Sequence, residues 1–121
     1  MKFLCLAYYD VPKFEALSPA ELTAIVSQCP TLDANLRATG NLLAQASLGG
    51  PTKSVRPRKG KISVTDGPFI ETNEQVGGFF LIEAADIDEA VRIASNHPAA
   101  HLGEDVGWGI EIRPIEGYMS S

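Results

Sequence analysis

The sequence has no long apolar run. No stretch approaches the ~18–20 consecutive apolar residues that a helix needs to cross a membrane. The opening segment, Met1 to Leu4, is too short for a signal peptide and lacks its cleavage pattern. We therefore expect a protein that has no membrane partner and resides in the cytoplasm.

Basic residues are scarce. Ten Lys and Arg residues against fifteen Asp and Glu residues give a formal net charge of -5. Because binding to nucleic acid requires a basic surface that neutralises phosphates, direct nucleic-acid binding is not expected. The exception is a local basic stretch, Lys53 to Lys61, which we interpret as a solvated hairpin whose charged edges discourage the addition of another strand.

Cysteine and histidine each occur only twice. Cys5 and Cys29 lie in apolar contexts without a CxxC or Cys/His spacing, so we predict buried free thiols of a reducing compartment. His97 and His101 match no standard metal-ligand spacing. The chain also has no glycine-rich phosphate loop and no GxSxG motif. We therefore predict neither a metal nor another cofactor.

The elements that are present predict one α+β domain over residues 1–121. An apolar strand from Phe3 to Tyr9 is followed by a loop from Asp10 to Leu17. A helix begins at the Ser18–Glu21 capping box, is kinked or split at Pro30, and ends at Gly40.

The order of elements is β–α–β, then an inserted hairpin, then a second β–α–β unit. A strand from Leu42 to Leu48 precedes a hairpin, 52–58 with 61–65, that turns at Lys59-Gly60. The strand 79–83 and a helix capped by Asp86 and Glu89 follow, and Trp108, Ile110 and Ile112 alternate along the last strand. The predicted architecture is an antiparallel sheet with two helices on one face.

The segment from Asp66 to Gln75 concentrates the candidate functional residues. Asp66-Gly67-Pro68 predicts a rigid turn, and Phe69 would pin this turn to the core. Three carboxylates close together, Asp66, Glu71 and Glu74, would suit general acid–base catalysis. The alternative is that Asp66 only satisfies amides of the turn while both glutamates are solvated. We predict a buried Asp66 that accepts hydrogen bonds from amides of residues 69–72, with exposed, reactive Glu71 and Glu74.

Two further features complete the predicted site. Arg113 on the last strand would either pair with one of these carboxylates or hold an anionic group of a substrate. Gly77 and Gly78 open a strand, which indicates either a β-bulge or the close approach of a ligand. Gly67, Phe69, Gly77 and Gly78 are therefore the candidate ligand-binding residues.

Residues 66–75, DGPFIETNEQ, resemble the DGPFAETKE signature of YCII-related proteins of the DGPF type. The resemblance continues at Gly77-Gly78-Phe79, Asp86–Ala90, Pro98–Ala100 and Glu111–Pro114. It implies a ferredoxin-like sandwich of the dimeric α/β-barrel type, in which the sheets of two copies face each other. The resemblance also implies a His/Asp pair in a cleft, with the histidine on the first helix. The first helix of this sequence has no histidine, so in an enzyme of this sequence Asp66, Glu71 or Glu74 must supply the base.

Two functional hypotheses remain open. The first is a small cofactor-independent enzyme that acts on a compact cyclic or aromatic-like molecule by proton abstraction, isomerisation or lyase chemistry. The second is a non-catalytic ligand-binding or regulatory module, since DGPF-type relatives are often associated with extracytoplasmic-function sigma factors. Carboxylates converging in a cleft would favour the enzyme, and carboxylates on an open rim would favour a partner surface. In both cases we predict a homodimer, because two helices cover only one face of a sheet that has apolar residues on both.

Overall fold

The computed structural model describes residues 1–119, and its architecture is the predicted α+β sandwich. The main sheet is antiparallel with the strand order β2-β5-β1-β6, and β3 and β4 form a separate hairpin. The strands are β1 (Lys2–Asp10), β2 (Leu42–Ser47), β3 (Lys53–Arg58), β4 (Lys61–Asp66), β5 (Glu74–Glu83) and β6 (Gly109–Pro114). The helices are α1 (Val11–Glu15), α2 (Pro19–Val26), α3 (Cys29–Ala38) and α4 (Ile87–Ala94), with short 3-10 turns at Pro98–Ala100 and Glu104–Val106. Within residues 1–119, no helix is long and apolar enough to cross a membrane.

The hydrophobic core lies between one face of the main sheet and the helices. Phe3 and Cys5 on β1 alternate with residues of the opposite face, as successive side chains of a strand do, and both are buried. Phe80 and Ile82 on β5 lie on the same face of the sheet as Phe3 and Cys5 and are also buried. The helices contribute Leu36, Ala90, Ile93 and Ala94 to this core.

Capping and proline chemistry place the first long helices as predicted. The Ser18 hydroxyl accepts from the Glu21 N–H at 3.1 Å, and the Glu21 carboxylate accepts from the Ser18 N–H at 3.0 Å. Pro30 splits the apolar stripe into α2 and α3, since its missing N–H is tolerated only in a first helical turn. Gly40 follows α3 with a φ of 77°, the left-handed geometry expected after a helix C-terminus.

Two local predictions need correction. The predicted loop from Asp10 to Leu17 contains α1, because the Asp10 carboxylate accepts from the Lys13 N–H at 3.0 Å and Pro12 fits a first turn. The capping box predicted at α4 is only half formed. Asp86 accepts from the Glu89 N–H at 2.8 Å, but the Glu89 carboxylate accepts from the N–H of Ala85, one residue earlier than predicted.

A β-bulge distorts β5 next to β1, at the glycine pair for which the sequence left a bulge open. Ala7 pairs with Gly78 and Tyr8 pairs with Val76, so Gly77 is the extra residue. A Cβ on Gly78 would lie 2.9 Å from the carbonyl oxygen of Ala46. Glycine is therefore required where β2 and β5 come close together.

The hairpin of β3 and β4 forms as predicted around Lys59 and Gly60. Both turn residues have positive φ, 51° and 76°, as a two-residue hairpin turn of the primed type requires. The segment after β4 folds back onto the hairpin: the Gly67 N–H donates to the Thr52 carbonyl and the Ser54 hydroxyl donates to the Gly67 carbonyl, both at 2.8 Å.

Candidate functional site

A cleft opens between the helix-bearing face of the main sheet, α3 and the turn that follows α4. The cavity has a volume of about 410 Å³. Tyr9, Phe14 and Trp108 provide aromatic walls, and Gly77 and Gly78 of the β5 bulge form part of the floor. Besides these aromatic walls, the lining residues with polar side chains are Tyr8, Cys29, Asp33, Gln45, Ser47 and His97.

Asp33 reaches the cleft from α3. Its carboxylate is half-buried, and its Oδ1 accepts a hydrogen bond from the side-chain amide of Gln45 on β2 at 3.3 Å. The position of α3 follows from Pro30, which starts this helix as a separate element. The turn Pro98–Ala100 packs against α3, and this contact brings Asp33 toward the histidine that precedes the turn.

That histidine, His97, is held by two contacts. Its Nδ1 accepts from the Ala99 N–H at 3.0 Å, and its ring stacks on Phe80 with centroids 4.6 Å apart and planes 4° apart. Burial lowers the pKa of His97 below its usual value, and the negative charge of Asp33 opposes this shift only partly. The imidazole is therefore neutral at neutral pH and lies close to a carboxylate.

Cys29 also lines the cleft, but it is not an activated nucleophile. Burial raises the pKa of its thiol, and the charge of Asp33 raises it further. The thiol donates to the carbonyl oxygen of Ile25 at 3.7 Å. Cys5 lies in the core, where burial raises its pKa to about 12. Both cysteines are free, as predicted, but only Cys5 is buried, and Cys29 is half-buried because it lines the cleft.

The predicted position of Asp66 is wrong. Its side chain is 86% exposed and pairs with Lys53, the residue opposite it on β3. The amides of residues 69–72 are not its partners. The turn is instead stabilised across the hairpin by Thr52, Ser54 and Arg56, whose guanidinium donates to the Phe69 carbonyl at 2.7 Å. Asp66 is therefore free to point outward, and its expected burial was not needed to build the turn.

The remaining residues of the predicted site do not converge. Glu71 and Glu74 are exposed as expected. Glu74 lies opposite Asp10, whereas Arg113 lies opposite Leu4. These two positions on β1 are six residues apart, or about 20 Å at about 3.4 Å per residue, so the expected proximity of Arg113 to Glu74 is wrong.

The candidate ligand-binding residues fall into two groups. Phe69 lies beside Asp66 and Glu71 at a second hollow, lined by residues of β3, β4 and the turn after β4, which we name the DGPF hollow. The Phe69 ring is 57% exposed, and the Arg56 guanidinium lies 3.7 Å from the ring centroid. Phe69 therefore does not pin the turn to the core as predicted. Gly67 adopts a φ of 99° at the same turn. Gly77 and Gly78 line the cleft instead. The structure thus separates the DGPF hollow from the cleft, and the catalytic and binding roles of all these residues stay predictions.

Sequence reasoning missed the three residues that characterise the cleft. It did not single out Asp33, considered His97 only as a possible metal ligand, and placed Trp108 on the last strand. One sequence signal concerns His97 alone: it stands directly before Pro98, a position from which its ring caps the turn that the proline begins.

Comparison with known proteins gives the family. The family model described as "YCII-related domain" matches residues 1–115. The chain belongs to the YCII-related family. It is 31% identical over 120 residues to an uncharacterized protein of Rhizobium meliloti (strain 1021), covering 98% of this chain and 94% of that relative. The YCII-related chain also aligns with a solved structure of the 5-chloro-2-hydroxyhydroquinone dehydrochlorinase of Burkholderia phenoliruptrix AC1100, in complex with 2,5-dihydroxybenzoquinone. That alignment has 17% identity and a TM-score of 0.45, over 96% of this chain and 94% of the other.

The resemblance to YCII-related proteins implied a His/Asp pair with the histidine on the first helix. This chain does bring a histidine and an aspartate to one cleft, but the histidine comes from the end of α4. The absence of histidine from α2 and α3 therefore does not remove a His/Asp pair from the molecule.

Proposed function

We propose that this protein is a small cofactor-independent enzyme that transfers a proton on a compact organic molecule bound in the cleft. The observation that carries the proposal is the convergence of Asp33 and a neutral His97 in one aromatic-walled cavity. A titratable pair in a concave apolar pocket is the usual arrangement for acid–base catalysis. This proposal places the base on Asp33 rather than on Asp66, Glu71 or Glu74.

The walls of the cleft favour a particular kind of ligand. A volume of about 410 Å³ lies within the range of small-molecule sites, about 300–1,000 Å³. Tyr9, Phe14 and Trp108 favour a flat or cyclic ligand. Among the described lining residues there is no Lys or Arg to neutralise an anion, and Asp33 would repel one. The substrate we propose is therefore neutral, in contrast to the anionic group that Arg113 was expected to hold.

The test compares two aspartates. A metabolite library is screened by thermal shift and by the fluorescence of Trp108, the single tryptophan of the chain. A hit is then assayed for turnover with wild type, Asp33→Asn and Asp66→Asn. We expect Asp33→Asn to lower turnover by about 100- to 10,000-fold, the usual contribution of a general base, and Asp66→Asn to leave it nearly unchanged.

Asp88→Asn serves as the matched control, since Asp88 is an exposed aspartate on α4. All three variants must retain the wild-type melting temperature within a few degrees for the comparison to hold. Loss of turnover in Asp66→Asn but not in Asp33→Asn would move the site to the DGPF hollow and refute the cleft.

A second candidate function, a regulatory module that binds another protein, is favoured by the hairpin. Asp66 and Glu71 are exposed at the DGPF hollow, where a partner protein could reach both carboxylates. Val55, Ile62 and Val64 are exposed on the hairpin, and a two-stranded hairpin is marginally stable alone. The test is direct binding of a purified extracytoplasmic-function sigma factor from the same organism. Binding that is lost in Ile62→Ser would support this candidate, and no binding by wild type would contradict it.

We further propose that the protein is a single domain that resides in the cytoplasm. We also propose that it forms a homodimer, whose interface is the face of the main sheet opposite the helices. Leu4, Leu6, Phe79 and Leu81 are half-buried and project from that face. A two-fold partner is the commonest cover for such an apolar surface. Light scattering at micromolar concentration should give the mass of two subunits for wild type and of one for Leu81→Lys. A wild-type mass of one subunit would contradict the dimer.

A further inference from the structure

We infer that His97 serves in the cleft as a neutral hydrogen-bond donor through its Nε2–H, which stabilises negative charge on the carbonyl oxygen of a substrate, while Asp33 removes a proton from the adjacent carbon. This inference rests on the proposed function. It divides the work between the two residues and names the substrate class, a neutral ketone with a removable proton next to its carbonyl group.

The first step fixes the tautomer of His97. A backbone N–H can only donate, so the bond from the Ala99 N–H to Nδ1, at 3.0 Å, requires a free lone pair on Nδ1. A neutral imidazole has one N–H, which must then lie on Nε2. The bond that Nδ1 accepts also polarises the ring and makes Nε2–H a stronger donor.

The second step concerns the protonation and orientation of the ring. Burial keeps His97 neutral against the opposing charge of Asp33. The stack on Phe80 fixes the ring plane, with only 4° between the planes. A neutral donor held in place suits an oxygen on which charge develops, because no reorganisation is needed when the charge appears.

The third step assigns the base. His97 could accept a proton at Nδ1 only by giving up the bond from Ala99, and Nε2 already has its proton. Asp33 accepts one hydrogen bond, from Gln45 to Oδ1, and within the described residues its Oδ2 has no such donor. Asp33 is therefore the group with a free basic oxygen.

The resulting reaction step is balanced without a further reactant. The Asp33 carboxylate takes the proton, the electrons of the broken C–H bond form a carbon–carbon double bond, and the carbonyl electron pair moves onto oxygen. The enolate oxygen accepts from the His97 Nε2–H. If the Asp33 carboxyl proton exchanges with solvent before it returns to the carbon, the ketone has exchanged a hydrogen; its transfer to the enolate oxygen instead gives the enol, and either transfer regenerates the Asp33 carboxylate.

The first experiment reads the tautomer directly. Protein labelled with ¹⁵N-histidine is studied by long-range ¹H–¹⁵N NMR near neutral pH, and His97→Gln assigns the signals by removing one set and leaving that of His101. We expect the Nε2–H neutral form for His97. A signal of the Nδ1–H form or of the imidazolium would overturn the inference, even if the cleft still binds a ligand.

The second experiment uses 2-indanone, a neutral, flat, cyclic ketone, and measures exchange of its methylene protons in D₂O. Wild type should accelerate the exchange above buffer. His97→Gln keeps an N–H donor and should stay within about tenfold of wild type, whereas His97→Leu should be slower by about 100- to 1,000-fold, the range for a lost oxyanion donor. Near-ultraviolet circular dichroism and melting temperature check that both variants are folded.

The outcomes separate the inference from the proposed function. If His97→Gln is as slow as His97→Leu, His97 is not simply a donor and the inference fails. If Asp33→Asn exchanges as fast as wild type, the proposed function fails as well. Absence of any acceleration by wild type would overturn the ketone class, while a library hit that still requires Asp33 would keep the cleft as the active site.

Discussion

Replacing Phe80 with alanine is expected to lower the free energy of unfolding by about 3–5 kcal/mol, the range for removing a buried phenylalanine side chain. Phe80 is fully buried on the central strand β5, where it packs in the core with Phe3 and Ile82. The cost combines the apolar surface no longer removed from water with the cavity left behind. Urea denaturation followed by circular dichroism measures the change.

Phe69→Ala is the matched control for this prediction. Phe69 is 57% exposed, and the contact it would lose is mainly the one with the Arg56 guanidinium, worth about 0.5–1 kcal/mol at an exposed site. Equal unfolding midpoints for Phe80→Ala and Phe69→Ala would contradict the placement of Phe80 in the core.

Phe80 also connects stability to the candidate site, because the His97 ring stacks on it. Phe80→Leu restores most of the apolar volume without restoring the flat surface for the imidazole. We therefore expect Phe80→Leu to recover much of the stability but to leave the orientation of His97 less fixed.

Sequence reasoning succeeded where a structure is specified by a few neighbouring residues. The Ser18 capping box, the interruption at Pro30 and the Lys59-Gly60 turn each depend on chemistry contained within four residues. The apolar run from Phe3 to Tyr9 and the alternation of Trp108, Ile110 and Ile112 indicated strands, and the resemblance to YCII-related proteins implied the ferredoxin-like architecture.

The cleft was not predictable in this way, because its groups meet only through tertiary packing. Asp33 lies on α3 and His97 lies after α4, and the residues around each of them do not indicate that the two side chains meet. Their proximity depends on the packing of the Pro98–Ala100 turn against α3. Reasoning from short spacings therefore favoured the carboxylates that are adjacent in the sequence, at residues 66–74.

The error at Asp66 has a related cause. The prediction sought hydrogen-bond partners downstream of the turn, whereas the turn is held by Thr52 and Ser54 from the neighbouring strand. Backbone groups need partners, but nothing in the local sequence says which side of a hairpin supplies them. A cross-strand view of the predicted hairpin would have placed Lys53 opposite Asp66 and indicated an exposed ion pair.

Gly103→Ala is expected to lower the free energy of unfolding by about 2–5 kcal/mol, the sum of a left-handed backbone cost and an overpacking cost. Gly103 has a φ of 72°, and a Cβ at this position would lie 2.3 Å from Cδ2 and 2.4 Å from Cγ of Trp108. The indole is a rigid side chain, so it must move away from its present position. Because Trp108 is part of the cleft wall, ligand binding should weaken along with stability.

Gly60→Ala isolates the backbone part of this effect. Gly60 has a φ of 76°, and apart from its own residue and its two chain neighbours no atom of the described residues lies within 4 Å of its added Cβ, so only the left-handed cost of about 1–2 kcal/mol applies. The difference between the two variants therefore measures the contact between Gly103 and Trp108. Since Trp108 is the single tryptophan, its fluorescence should shift in Gly103→Ala and stay as in wild type in Gly60→Ala. Two results together would contradict this prediction: an unchanged emission spectrum in Gly103→Ala and a loss of stability no greater than in Gly60→Ala. They would show that the indole does not pack on Gly103 and that Trp108 is not placed as a wall of the cleft.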